Sequence, residues 1–216
     1  MPFHCTLCAV PLLGRFAVDW TGGSYCPAHQ TCRRCLDFHL GACTSRPDTV
    51  QTREQARAVA DRLHVEVARL LGLHLPRVPL RLDDQLPPRT LGLCTRIWLG
   101  DGGRASTIQI RPGLRTEMFA LTYVHEAMHA LIHFRAAVEL SDAVEEGLCD
   151  GVGVRYLQAT GLAPRLADFR LSNRDPVYGA GVRACRASAG DASVADFVRQ
   201  VLNPGLRAPQ PTSRAR

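Results

Sequence analysis

The pentapeptide His125-Glu126-Ala127-Met128-His129 constrains this chain more than any other stretch. Its two histidines are four residues apart, so on an α-helix both side chains lie on one face, one turn apart. In that geometry both imidazoles can bind one metal ion, while Glu126 can take a proton from a water at the open position. The neighbouring buried-type positions keep the 3.6-residue period of a helix from about Thr116 to Phe134: Met118, Leu121, Thr122, Met128 and Ile132.

Two histidines leave a catalytic zinc one protein ligand short, so the third ligand must come from elsewhere in the chain. A third histidine six residues after His129 is excluded because Arg135 stands at that position. The next candidates are Glu145 and Glu146, in a segment that Ser141 should cap as a second helix. Glycines at positions 147, 151 and 153 would let that helix approach the first one closely.

Of these two glutamates, Glu146 is the preferred ligand. Asp150 lies four residues further on, on the same face of the predicted helix, where it can accept the Nδ1–H of a liganding histidine. In addition, Glu146-Gly147 resembles the glutamate-glycine pair of the gluzincin zinc peptidases, in which that glutamate is the third ligand. The resemblance implies a catalytic zinc held by His125, His129 and Glu146.

A second metal-binding pattern lies near the start of the chain, where six of the nine cysteines fall within the first 43 residues. Cysteines separated by two residues are how a short turn presents two thiolates to a tetrahedral Zn²⁺. One complete set of four ligands is Cys5, Cys8, Cys26 and His29. A second structural zinc would need the shorter set Cys32, Cys35, His39 and Cys43, in which only seven residues separate the last two cysteines.

In a reducing compartment, such a cluster of cysteines favours metal binding over disulfides. So short a segment buries too little apolar surface to fold unaided, and the metal would supply the missing stability. Between the cysteine pairs, residues 13–24 have the pattern of a β-hairpin. The predicted organisation is a LIM-like zinc-binding module over 1–45, a larger domain over 46–207 and a tail over 208–216 whose composition indicates disorder.

A predicted scaffold helix follows the first domain. Thr52-x-x-Gln55 has the spacing of a capping box, which marks the first turn of a helix. Gly72 should end this helix, because glycine adopts the left-handed conformation that closes a helix at little cost. We therefore expect a helix of about five turns ahead of the metal-binding one.

The next segment predicts a small antiparallel sheet. Three stretches have the composition of strands: 78–82, 91–99 and 106–110, with a turn at 101–103. An edge strand of this sheet could pair with an extended peptide through main-chain hydrogen bonds. A proline at Arg96 or Thr107 should then abolish peptide cleavage without unfolding the chain, if either residue lies on that edge.

Composition excludes some classes of function. The formal net charge of +6 could indicate nucleic-acid binding, but all 26 basic residues are arginines and they are scattered along the chain without interleaved aromatics. No apolar run reaches the roughly 18 residues of a membrane span. The first residues lack the basic and apolar regions of a secretory signal, so we expect a cytoplasmic protein. From the two preceding observations, we expect no membrane partner, and nucleic acid is disfavoured as one.

The chemistry of a zinc peptidase assigns a role to each polar group near the ligands. Glu126 would accept a proton from the attacking water and pass it to the leaving amine. Tyr178, which follows a turn and precedes a glycine, is the candidate donor that stabilises the oxyanion, whereas Tyr123 and Tyr156 should lie in the core. His133 is one turn beyond the ligands, too far along the axis to bind the same ion, and should lie behind them or at the surface.

Several of these motifs occur in one order along residues 5–205. The order is a LIM-like module, the segment Arg89-Thr90-Leu91-Gly92-Leu93-Cys94, the HExxHA motif, Glu145-Glu146-Gly147 and the segment 176–184 around Val177-Tyr178-Gly179. It resembles that of the plant LIM-domain zinc metallopeptidases, which restrain organ growth and act on ubiquitin-pathway proteins. The resemblance implies an α+β, zincin-like peptidase domain behind a LIM-like module, here shortened in its second finger.

The sequence thus predicts a zinc-dependent metallopeptidase of protein or peptide substrates. Glu117 is the only acid between Asp101 and Glu126, so an anchor for a substrate amine is scarce there and internal cleavage is favoured. The alternative is a non-enzymatic adaptor that binds a protein or DNA through the LIM-like module, with an inert peptidase-like domain. An intact metal motif argues for the enzyme.

Overall fold

A computed structural model describes the chain at residues 4–5, 9–13, 16–18, 24–26, 30–31, 38–39, 49–87, 90–171, 182–183 and 193–204. Strands in these residues are β1 (Ala17–Val18), β2 (Ser24–Tyr25), β3 (Gln30–Thr31), β4 (Phe38–His39), β5 (Thr49–Val50), β6 (Leu80–Leu82), β7 (Gly92–Trp98), β8 (Arg104–Ile110) and β9 (Leu114–Arg115). Helices are α1 (Arg53–Leu71), α2 (Thr116–Arg135), α3 (Asp142–Thr160), α4 (Pro164–Leu171) and α5 (Val194–Leu202). The fold class is α+β, as predicted.

Helix α1 begins and ends where the sequence predicts. The Thr52 side chain accepts a hydrogen bond from the Gln55 backbone N–H, and the Gln55 side chain accepts one from the Thr52 N–H, which completes the capping box. Gly72 has a φ of 65° and its N–H donates to the Ala68 carbonyl. Ala56, Ala60 and Leu63 lie on the buried face of α1, so the helix packs as a scaffold against the rest of the core.

The three-stranded sheet differs from the prediction, because it is mixed and not antiparallel. Its order is β6-β8-β7, in which β7 pairs antiparallel with β8 while β6 pairs parallel with it. A tight turn joins β7 to β8, whereas β6 and β7, although consecutive in sequence, do not pair with each other and lie on opposite sides of β8. Thr107 therefore lies in the central strand, and Arg96 lies in β7, an edge strand of the described sheet.

Arg111 holds the connection that leads into β7. Its guanidinium donates to the carbonyls of Leu86 at 2.6 Å, Pro87 at 2.9 Å and Thr90 at 3.1 Å. Three hydrogen bonds from one charged group restrict the loop just before Gly92. The start of β7 is thereby fixed over α2.

Helix α2 forms the centre of the core. From Met118 to His133 every residue except His125 is buried, since β7 and β8 cover one side of α2 while α1 and α3 cover others. Helix α3 approaches α2 closely at Gly153, where an added Cβ would lie 2.6 Å from Leu121 Cδ1. Ser141 occupies the N-cap position of α3, but its side chain makes no capping hydrogen bond. The close packing of two helices was predicted from the glycines and is confirmed at position 153.

In the N-terminal region the predicted hairpin is present, with β1 and β2 paired antiparallel. Strands β3 and β4 form a second antiparallel pair. Cys5, Leu12 and Tyr25 form a small buried cluster against which Phe16 and Cys26 pack, separate from the main core. The predicted domain boundaries themselves stay a prediction.

Among the helices in the described ranges, none combines the length and apolar character of a membrane span.

Candidate metal centre

Three side chains from α2 and α3 bring their ligand atoms together. His125 Nε2 lies 3.1 Å from His129 Nε2 and 3.2 Å from Glu146 Oε2, and His129 Nε2 lies 3.5 Å from Glu146 Oε1. In the described part of the chain, this is the one group of three metal-ligating residues whose ligand atoms all lie within 4.8 Å of one another. The structure thus brings together the three residues that the sequence predicted as ligands.

The distances among these atoms fit a tetrahedral ion. At a tetrahedral centre with bonds of about 2.0–2.1 Å, ligand atoms are separated by about 3.3–3.4 Å. The 3.1 Å between the two Nε2 atoms is close to that value, while the histidines lie 3.2 and 3.5 Å from different oxygens of Glu146. With one ligand atom taken from each residue, the three atoms lie within 4.8 Å of one another. Glu146 Oε2 is also buried without a hydrogen-bond partner, although it lies close to His125. A cation between the three groups would satisfy this oxygen, so these residues fit a zinc ion.

His125 is oriented from behind by a carboxylate. Its Nδ1 lies 2.8 Å from Asp150 Oδ1, which leaves Nε2 to face the other ligands. Asp150 is itself 3% exposed, and its second oxygen lies 3.7 Å from Arg170 Nη1 on α4. This contact agrees with the position expected for Asp150 from its spacing to Glu146. A hydrogen-bonded carboxylate fixes the tautomer and raises the basicity of a ligating imidazole.

His129 has a matching partner that the sequence analysis did not assign. Its Nδ1, the ring nitrogen that points away from the cluster, lies 2.6 Å from Glu145 Oε1. From the sequence, Glu145 was considered only as an alternative metal ligand. Arg96 of β7 pairs with both oxygens of this carboxylate, with Nη1 at 3.3 Å from Oε2. Arg96 Nη2 and His129 Nδ1 both contact Oε1 of Glu145, and these two nitrogen atoms are therefore only 3.1 Å apart. Each histidine is therefore backed by a carboxylate and an arginine.

Glu126 lies beside the cluster and is only 7% exposed. Burial raises the pKa of its carboxyl, while the nearby His125 and His129 work against that rise. Gly92 makes its position possible, since a Cβ there would lie 2.6 Å from Thr122 Cγ2 and 2.8 Å from Glu126 Cγ and Oε1. A glycine in this strand is the signal that sequence reasoning missed.

The charges of the cluster favour a cation. Burial lowers the pKa of His125, but the hydrogen bond to Asp150 and the contact with the Glu146 carboxylate outweigh it and raise this pKa to about 10. Burial likewise raises the pKa of Glu146, but the contacts with His125 and His129 outweigh it and lower that pKa to about 2. Protons and metal ions compete for the same lone pairs, so a negative potential that retains a proton also favours a divalent ion.

A cavity of about 340 Å³ adjoins these groups. His125 and Glu126 line one part of it, and Gly92 and Thr122 line another. Its volume is at the lower end of the range for small-ligand sites. The cavity therefore offers space for a substrate group next to the ligand cluster and the buried glutamate.

Several other predicted positions have mixed outcomes. Tyr178, the predicted oxyanion donor, lies outside the described residues. Tyr123 and Tyr156 are each 2% exposed, so both belong to the core as expected. His133 is 5% exposed, and its Nε2 lies 3.3 Å from the Ile97 carbonyl. A surface position for His133 is therefore wrong, because the end of β7 covers it.

The predicted structural zinc sites are described only in part. Of the first set, Cys5 and Cys26 lie in the small N-terminal cluster, whereas Cys8 and His29 are outside the described residues. The Cys5 N–H donates to the Val10 carbonyl and the Ala9 N–H donates to the Cys5 carbonyl, both at 2.8 Å, so the backbone of Cys5 is paired with that of Ala9 and Val10. The second set lies outside the described residues at Cys32, Cys35 and Cys43, with only the backbone of His39 described.

No disulfide involves the described cysteines, which are Cys5, Cys26, Cys94 and Cys149.

Comparisons of the chain with protein families, with curated proteins and with solved structures find no match. The assignment of function therefore depends on the geometry of the cluster and on the motifs of the sequence.

Proposed function

We propose that this protein is a zinc-dependent metallopeptidase that cleaves internal peptide bonds of protein substrates. The observation that carries the proposal is the cluster of His125, His129 and Glu146, whose ligand atoms lie within 4.8 Å of one another beside the buried Glu126. A zinc ion held there would act as a Lewis acid on a substrate carbonyl and lower the pKa of water. Three protein ligands are the number found in catalytic zinc sites, whereas structural sites have four.

In this proposal Glu126 is the general base and then the general acid. Its carboxylate takes a proton from the attacking water and returns it to the nitrogen of the departing amine. The pKa of Glu126, raised by burial, makes its carboxylate a better proton acceptor for the first step. The Cys94 backbone hydrogen bond and the close contact with Gly92 hold the carboxylate in place.

The edge strand β7 is the proposed guide for the substrate. It runs from Gly92, against Glu126, to Arg96, near His129, so a peptide paired with its open edge would pass the cluster. Leu93 is 43% exposed and Ile97 is 44% exposed, which provides apolar contacts for alternating side chains of an extended peptide. A proline at Arg96 tests this pairing when it is compared with Arg96→Gln, which also loses the contact with Glu145 but keeps the backbone N–H. A proline at Thr107, in the central strand, offers no such test.

Internal cleavage is supported by the state of Glu117. This residue was the candidate anchor for a substrate amine, but its Oε2 lies 3.6 Å from Arg115 Nε in the first turn of α2. An acid already paired with an arginine is a poor anchor for a second cation. The substrate class we propose is therefore an unfolded or extended segment of a protein, with the LIM-like module as a surface for a protein partner and the cytoplasm as the expected location.

The decisive experiment compares Glu126→Gln with the wild type. Both proteins should bind zinc equally, since Glu126 is outside the ligand group, but cleavage of an unfolded labelled protein should fall by about 10²–10⁴-fold in the variant. Glu139→Gln, the same change at an exposed site, should cleave at the wild-type rate. Equal cleavage by wild type and Glu126→Gln, or none by the zinc-loaded wild type, would favour the non-enzymatic adaptor.

A further inference from the structure

A second cavity, of about 290 Å³, lies between the start of α1 and the segment that leads into β6. It shares no lining residue with the cavity at the metal cluster. Tyr123 of α2 lines the second cavity, and His125, two residues further along α2, lines the first. Positions two residues apart on a helix point to opposite sides, so the second cavity is a separate site.

Positive charge dominates the lining of this second cavity. It includes Arg53, Arg57, Arg77 and Arg81, with Asp61 as the only acid among the described lining residues. Asp61 Oδ1 is already 2.7 Å from Arg77 Nη1. The other three arginines have no ion-pair partner in the described part of the chain. Four arginines and one aspartate leave the lining with a formal charge of +3.

Two of these arginines lie at a place where a cation is unfavourable for the helix that carries them. Arg53 is the first residue of α1 and Arg57 is one turn further on, so both lie at the positive end of the helix dipole. Cations at that end destabilise a helix by a few tenths of a kcal/mol to about 1 kcal/mol each, and like charges four residues apart repel each other. Glu54 in the same turn compensates in part, but it does not line the cavity. A bound anion would explain the arrangement.

The wall opposite these arginines is polar as well. His64 Nε2 lies 2.9 Å from the Tyr123 hydroxyl, and the tyrosine is 2% exposed. His64 also makes a hydrogen bond with the Leu75 backbone, so the imidazole and the tyrosine hydroxyl already have partners within the protein. The guanidinium groups are therefore the donors that this cavity offers to an anion.

The size and the charge of the cavity select the ligand. Guanidinium groups bind phosphate through paired N–H donors, and a charge of +3 exceeds what a single carboxylate needs. A volume of about 290 Å³ is at the lower end for ligand pockets, which favours a compact molecule. Nucleic acid, in contrast, requires an extended basic groove with aromatic surfaces for the bases.

We propose that the cavity lined by Arg53, Arg57, Arg77, Arg81, His64 and Tyr123 binds a compact phosphate-bearing molecule. This proposal does not depend on the peptidase activity. It assigns a ligand site to the side of α2 away from the metal cluster.

The experiment measures binding of inorganic phosphate and of pyrophosphate to the full chain by calorimetry and thermal unfolding, at constant ionic strength. The double variant Arg53→Gln/Arg57→Gln should lose about tenfold or more in affinity. Its melting temperature without phosphate should equal or exceed that of the wild type, because two cations leave the positive end of α1. Arg81→Gln, on β6, should weaken binding independently.

Two controls separate this site from other effects of charge. Arg69→Gln removes an exposed arginine from the last turn of the same helix and should leave phosphate binding unchanged. His129→Ala should lose the metal but keep phosphate binding, which excludes binding of phosphate to zinc. The proposal is overturned if the wild type does not bind millimolar phosphate, if the double variant binds as well as the wild type, or if either control loses binding. Binding of a single-stranded oligonucleotide without binding of phosphate would overturn it in favour of a nucleic-acid site.

Discussion

The two cavities beside α2 use the same helix but gather opposite charges. On one side, Glu126 and Asp150 line a cavity next to the two clustered histidines, and the arginine there, Arg170, contacts a carboxylate. On the other side, Arg53 and Arg57 line a cavity whose one acid is already paired. Arginines in this protein therefore have two different roles. One orients a carboxylate behind a histidine, and the other leaves a guanidinium group available to a ligand.

The substitution Gly92→Ala should have the largest effect and should act on one cavity alone. The added methyl group would meet Thr122 Cγ2 at 2.6 Å and Glu126 at 2.8 Å, so the carboxylate must shift. A displacement of about 1 Å in a catalytic group costs about 100-fold in rate, and overpacking of this kind destabilises a core by about 1–3 kcal/mol. We expect kcat/KM for an unfolded protein to fall by about 100-fold while phosphate binding at the arginine-lined cavity is unchanged.

Gly100→Ala is the matched control, because a Cβ there meets nothing within 4 Å. This variant should keep the wild-type kcat/KM and melting temperature. If Gly92→Ala were as active as Gly100→Ala, the close contact with Glu126 would have no role in the reaction. If Gly92→Ala lost phosphate binding as well, the two cavities would not be independent.

Arg96→Gln should have an intermediate effect and tests the first use of arginine. The substitution removes the cation that pairs with Glu145, and Glu145 in turn lies 2.6 Å from His129 Nδ1. Loss of groups that orient a metal ligand lowers metal affinity by about 10–100-fold, and we expect the lower end, since Arg96 acts through Glu145. Competition with a chromogenic chelator measures the zinc affinity directly.

The control for Arg96 is Arg155→Gln, at an exposed position of α3. Zinc affinity in that variant should equal the wild-type value. An equal loss in both variants would mean that net charge, and not the contact with Glu145, determines the affinity. Phosphate binding should be unchanged in both.

The smallest effect concerns the pH dependence of stability on the arginine-lined side. Burial lowers the pKa of His64 below its ordinary value of 6.5, and the charge of Arg77 lowers it further. The unfolded chain therefore takes up this proton first, so stability should fall as the pH drops below 6.5 toward the folded-state value.

His64→Gln keeps a polar side chain near the Tyr123 hydroxyl but does not titrate. Thermal unfolding of wild type and variant between about pH 8 and about pH 5 should show a shallower dependence in the variant. Identical dependence in both proteins would show that His64 is not desolvated by the cavity wall. The other histidines are the same in both proteins, so their contributions cancel in the difference.

Local signals in the sequence predicted most of the elements. Thr52, Gln55 and Gly72 act within a few residues of themselves, and they set the ends of α1 as expected. The three strands of the mixed sheet and α2 were placed to within about two residues, because alternation and helical period are properties of short segments. The contact between Gly153 and Leu121 followed from the rule that small residues permit close packing of helices.

Pairings between distant segments were not predicted. The direction of β6 was wrong because the sheet was assumed to be antiparallel, whereas β6 pairs in parallel with β8 on the side away from β7. Glu145 was assigned only as an alternative ligand, since its contact with His129 depends on how α3 is rotated against α2. Arg96 lies 49 residues before Glu145, and no periodic pattern reports a contact over that separation.

The sequence by itself determined the helix with two histidines one turn apart, the acidic candidates that follow it and the capped scaffold helix, because these depend on spacing along one element. Only the tertiary structure decided which nitrogen of each histidine faces a carboxylate, and that Gly92 lies against Glu126. It also gathered Arg53 and Arg57 with Arg81, which the sequence shows only as scattered charges. The physical reason is that hydrogen bonds and charge interactions depend on distances in space, which packing fixes and the sequence of a single element does not.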